Sequence, residues 1–91
     1  MNDPLAHGAA AKFAGRLIAA ASDAPARMEL GFQLAYNRSP DATELRECQE
    51  FLQAYREKLI ALNTPAAQVE LQTWSAFSRA LLSGNEFVFV D

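Results

Sequence analysis

Apolar residues along this chain recur mostly at helical spacing, and the recurrence restarts after each of four prolines. Asp3-Pro4, Asp23-Ala24-Pro25, Ser39-Pro40 and Thr64-Pro65 each set an oxygen-bearing side chain just ahead of a proline. Proline suits a first helical turn because its missing N–H would have no intrahelical partner there, while Asp, Ser or Thr can accept from the orphan donors. Four helices are therefore predicted. The first, about residues 4 to 21, carries Ala6, Ala10, Phe13, Leu17 and Ala21 as one stripe whose small members allow close packing. The second, about residues 24 to 37, contains Ala26, Met28, Leu30, Phe32, Leu34 and Tyr36, which alternate as a strand would. Pairs at helical spacing (Met28 with Phe32, Leu30 with Leu34) and a wealth of good helix formers favour helix there as well.

The third helix has the most regular pattern, with Leu45, Cys48, Leu52, Tyr55, Leu59 and Leu62 at alternating intervals of three and four, a seam of coiled-coil type. Asp41-Ala42-Thr43-Glu44 ahead of it reads as a capping box with Asp in the usual Ser/Thr place, which puts the helix start at Asp41 and Pro40 just outside. Arg46, Glu50, Glu57 and Lys58 form the opposite, solvated face. The fourth helix, about residues 65 to 83, presents Leu71, Trp74, Phe77 or Ser78, and Leu81, and Gly84 supplies a left-handed end. Short connections at Asn37-to-Asp41 and Asn63-Thr64 make successive helices neighbours.

The expected fold is all-α: a single domain over residues 1 to 91, a small bundle of about four helices with short loops, and an extended apolar C-terminal tail packed on it. If the tail is extended, Phe87 and Phe89 point to one side and Val88 and Val90 to the other. One pair can seal the bundle, and the other is a candidate interaction surface.

Composition agrees with a globular chain: 51% hydrophobic, 21% charged and a net charge of -3. No apolar run approaches the roughly 20 residues that cross a bilayer, and MNDPLAHG lacks the basic region of a secretion signal, so no membrane insertion is expected. The single cysteine, Cys48, can form neither an internal disulfide nor a cysteine-based zinc cage.

Candidate chemistry is sparse. His7 is the only histidine; Asp3 four residues earlier could join it, but two ligands do not make a metal site. Cys48 lies among Glu47, Gln49 and Glu50, which disfavour a thiolate, and its place on the seam makes it a small core residue. Glu44, Glu47 and Glu50 recur every three residues yet have no basic or aromatic companion, so they read as surface acids. The four glycines stand far apart, which excludes a phosphate loop. Helix two, the corner and helix three have the dimensions of a helix-turn-helix, but Asp41, Glu44, Glu47 and Glu50 would meet phosphates, so nucleic acid is not an expected partner. Arg38 at the corner and Arg79 are candidates to pair with Glu86 and hold the tail, with Arg38–Glu86 the favoured pair.

MNDPLAHGAAAKFAGRL, LAYNRSPDATELRECQEFL and WSAFSRALLSGNEFVFVD together resemble the last segment of a planctomycete-type family of large proteins built on a domain of unknown function, DUF1553. The resemblance covers nearly all of the chain. The family's Arg-x-Pro corner, following Glu, Trp-led helix, Ala-Leu-Leu stretch and closing Asn-Glu-Phe with a final Asp fall on Arg38, Pro40, Glu44, Trp74, Ala80, Leu81, Leu82, Asn85, Glu86, Phe87 and Asp91. It implies a longer, extracytoplasmic parent in which the Met-Asn-Asp-Pro stretch is internal. A haem segment found in some members is not implied, because the Cys-x-x-Cys-His motif is missing.

These readings converge on a non-catalytic helical C-terminal module, structural or interacting, with no cofactor and no metal. The expected partner is the remainder of the parent polypeptide or another protein, with a homodimer through exposed apolar surface as a further arrangement. A stand-alone protein- or peptide-binding domain is the alternative, and a helix-turn-helix DNA binder the least favoured.

Overall fold

The computed structural model describes residues 4–83, with side chains from Gly8 onward. Over this span the chain forms four helices and no strand: α1 (Pro4–Ala20), α2 (Ala24–Tyr36), α3 (Ala42–Ala61) and α4 (Ala66–Leu82). The all-α architecture expected from the periodicity is thus present. The apolar tail, Gly84 included, lies outside the described residues.

Local chemistry sets the helix starts. Pro25 sits in the first turn of α2, and the Asp23 carboxylate, at the N-cap, accepts from the Ala26 N–H at 2.8 Å. At α3 the capping box closes both ways: Asp41 Oδ1 accepts from the Glu44 N–H at 2.8 Å, and Glu44 Oε1 accepts from the Asp41 N–H at 3.0 Å. α4 departs from expectation. Pro65 itself is the N-cap, no side chain caps the helix, and Thr64 does not serve as the acceptor its position suggested. Two asparagines turn the chain with left-handed backbones, Asn37 (φ 58°) after α2 and Asn63 (φ 62°) after α3. Asparagine tolerates this region better than most residues with a Cβ.

α4 is the hub of the bundle. α1 is its most extensive partner, α3 packs on it as well, and α2 touches each of the other three; α1 and α3 do not meet. The core follows from that arrangement: Ala14 and Leu17 from α1, Met28 and Phe32 from α2, Cys48 and Leu52 from α3, and Trp74, Phe77 and Leu81 from α4. Phe13 and Leu45 are half-buried against it, and Tyr55, also half-buried, lies against the Phe51 ring.

Because α4 is covered by three helices, its buried arc is wider than one stripe and takes in Val69, Thr73, Ala76, Phe77 and Ser78 together. Leu71, placed on the apolar stripe by spacing, is 45% exposed. At about 100° per residue it lies only about 20° around the helix from the buried Ser78, two turns further on, so this side of α4 is covered at Ser78 and left open at Leu71. Leu62, the last position of the α3 seam, is 67% exposed because it caps α3 and the seam ends with the helix. In α2 the strand-like alternation breaks as a helix requires: Met28 and Phe32 are buried, whereas Leu34 is exposed.

α2 approaches α4 through Gly31. A Cβ built there would come within 3.0 Å of both Leu81 Cδ1 and Phe77 Cε2, so the absence of a side chain permits the close crossing.

Candidate functional site

The Arg38 corner is a compact electrostatic joint between α2 and α3. Asn37 ends α2 in its left-handed conformation, its N–H bonded to the Gln33 carbonyl at 3.0 Å. The turn brings Arg38 back against α3, where Nη1 donates to Glu44 Oε1 at 2.8 Å and Nη2 to Oε2 at 2.9 Å. The same guanidinium lies over the rings of Phe32 and Tyr36, each 5.6 Å from its Cζ. Glu44 therefore caps α3 and receives a two-pronged cation at once, at the helix end where negative charge is favoured. The Arg38 hydrogen bonds hold its carboxyl below the usual carboxylate range; partial burial opposes this, and the Asp41 N–H adds to the lowering.

A second layer buttresses the corner. Ser39 donates its hydroxyl to the Glu29 carboxylate, and Gln33 Nε2 donates to Glu29 at 2.9 Å and to Ser39 Oγ at 3.1 Å. The Ser39 and Gln33 bonds lower the Glu29 pKa. Tyr36 stacks edge-on against Phe32 and donates its hydroxyl to the Leu81 carbonyl at 2.9 Å, which joins the end of α2 to the end of α4. Of the residues singled out in sequence, Arg38, Pro40 and Glu44 thus gather at one corner, and Leu81 is tied to it through Tyr36. Trp74 sits elsewhere. Asn85, Glu86, Phe87, Val88, Phe89 and Val90 lie outside the described residues, so the Arg38–Glu86 pair does too. Glu44 is the acidic partner of Arg38 among the described residues.

Trp74 belongs to a second ionic cluster that sequence reasoning missed. Glu70 accepts from Arg56 Nε at 2.6 Å and Nη2 at 3.1 Å on α3, and from the Trp74 indole N–H at 3.2 Å on its own helix. Arg27 of α2 approaches the same carboxylate at 3.7 Å, lies 5.5 Å over the Trp74 ring and donates Nε to the Ala21 carbonyl at 2.8 Å. The Arg56 bonds hold the Glu70 pKa down against partial burial, and Glu70 in turn raises the Arg56 pKa. Only the Glu70–Trp74 spacing of four carried any signal in the sequence; Arg27 and Arg56 arrive through the tertiary fold.

The other candidates resolve simply. Cys48 is fully buried, and burial first, then the Glu44 and Glu47 carboxylates, push its thiol up to about 12. Such a thiol is a core side chain and a poor nucleophile. No group of three or more potential metal ligands occurs among the described residues; Asp3 and the His7 side chain are not among them. No described helix is long and apolar enough to cross a membrane. Beside Glu70 a shallow groove opens between α3 and α4, lined by Arg56, Ile60, Asn63, Thr64, Ala66, Val69 and Glu70. Large apolar side chains are exposed at Leu34, Ile60, Leu62, Leu71 and Leu82.

No family model, curated protein or solved structure matches this chain. The resemblance to the planctomycete-type family rests on its motif residues alone.

Proposed function

We propose that this chain is a non-catalytic helical module through which a larger protein holds its own remaining parts or a protein partner. One observation carries the reading: both well-formed ionic clusters bind one helix to another, so their charged groups act as joints. Arg38 and Glu44 fasten α2 to α3, while Arg27, Arg56 and Glu70 fasten α2, α3 and α4. The large apolar residues exposed at Leu34, Ile60, Leu62, Leu71 and Leu82, on a domain with a packed core, support contact with another protein surface. Glu47 and Glu50 on α3 favour a protein over a nucleic acid. The family resemblance supports placing the module at the end of a longer, extracytoplasmic chain.

The test is a titration of the isotopically labelled chain with the preceding part of the parent polypeptide, followed by amide NMR. Saturable shifts clustered around Leu34, Leu82, Ile60 or Leu62 are expected. An unchanged spectrum at saturating concentration overturns the proposal.

A further inference from the structure

The groove between the end of α3 and the start of α4 has a volume of about 550 Å3 and two kinds of lining. Val69 is buried and Ile60 is 62% exposed, which makes an apolar surface incompletely covered by the chain's own side chains. Arg56 and Glu70 line the groove beside them. Two guanidiniums share the one Glu70 carboxylate, Arg56 within the groove lining and Arg27 outside it at 3.7 Å, and neither has a second carboxylate partner among the described residues. Arg56 uses Nε and Nη2 on Glu70, which leaves its Nη1 protons available. The first turn of α4, entering the groove at Ala66, has no side-chain cap and no acid; its Gln68 N–H is bonded to the Pro65 carbonyl at 2.8 Å, and the N–H groups of Ala66 and Ala67 add to the positive bias.

We infer that this groove binds an extended peptide segment in which a carboxylate adjoins a bulky apolar side chain. The apolar side chain packs against Ile60 and Val69, and the carboxylate meets Arg56 Nη1 and the opening turn of α4. The uncompensated cation selects the anion, and the apolar lining selects against a peptide that is charged throughout. This inference rests on the module reading and names the partner chemistry of one of its surfaces.

The experiment uses the full chain and a short capped peptide, Ser-Leu-Phe-Asp-Gly-Ser, with a Phe-Lys counterpart as control. Saturable amide shifts at Ile60, Asn63 and Val69 are expected, with the Lys peptide about tenfold weaker or more. Ile60→Glu, at an exposed position that leaves the fold intact, abolishes the response. Glu70→Gln removes the competing carboxylate, keeps an acceptor for Trp74 and tightens binding several-fold, whereas a purely structural role for the cluster would weaken it. Equal binding of the two peptides, weaker binding by Glu70→Gln, or no binding at all overturns the inference. So does Ile60-dependent self-association that the peptide fails to compete. If the parent polypeptide shifts Leu34 and Leu82 but leaves the groove untouched, this inference falls and the module reading stands.

Discussion

Replacing Glu44 removes two functions located in one carboxylate, so its effect can be worked from the corner's geometry. Glu44→Ala deletes the acceptor for the Asp41 N–H, half of the capping box, at about 0.5 to 1 kcal/mol. It also deletes the two-pronged bond to Arg38. The Arg38 side chain is 39% exposed, so solvent screening limits that contribution to about 0.5 to 1 kcal/mol. The sum is about 1 to 2 kcal/mol, or roughly 5 to 15 °C in Tm for a domain of this size. The Glu44 carboxyl is held below its ordinary value near 4.5, so its contribution is complete above that pH and is lost as pH falls through the lower folded-state value. Glu44→Gln should therefore lower Tm near neutral pH and flatten the acid side of the stability profile. Glu70, also depressed, retains its own share of the acid loss. Thermal unfolding followed by circular dichroism across a pH series reads both effects. If Glu44→Gln melts with the wild type and loses stability in parallel with it below pH 4.5, the corner is not the joint described here.

Three further substitutions test the packing. Gly15→Ala, where a Cβ would meet nothing within 4 Å, should stabilise by up to about 1 kcal/mol in urea unfolding through helix propensity alone. Gly31→Ala gains the same propensity but presses on Leu81 and Phe77, at a cost of about 1 to 3 kcal/mol, so the expected net effect is a loss; equal gains at both sites would contradict the close crossing of α2 and α4. Thr73→Val should raise Tm, because the fully buried Thr73 hydroxyl has no hydrogen-bond partner and its removal relieves about 1 kcal/mol of desolvation cost. Cys48 should react with a disulfide reagent only as fast as the chain opens; stoichiometric labelling of the native protein within seconds would show that the thiol is not buried as described.

Much of the corner was legible because its interactions are local. The capping-box partners stand three residues apart and were read from the sequence; the Arg38–Glu44 pair, six apart, was not, since Glu44 read as an acid with no basic companion. The acidic partner expected for Arg38 was Glu86, which lies outside the described residues; within them, the left-handed turn at Asn37 brings the guanidinium to Glu44. The Arg27–Glu70–Arg56 cluster left almost no trace in the chain. Its partners stand 43 and 14 residues apart in numbering and meet only when α2 and α3 settle on α4.

The sequence by itself determined the four helices and most of their limits. Capping, proline placement and apolar spacing act within a turn or two, and a backbone hydrogen-bond ladder follows from them. Tertiary structure decided that α4 is the hub and that α1, its most extensive partner, is the helix most distant from it in sequence. It also decided that Leu71 and Leu62 stay in water while Phe77 and Ser78 are both buried. An apolar stripe specifies that a helix will be covered, but its width and direction depend on how many neighbours cover it. That number is set by all the faces packing at once.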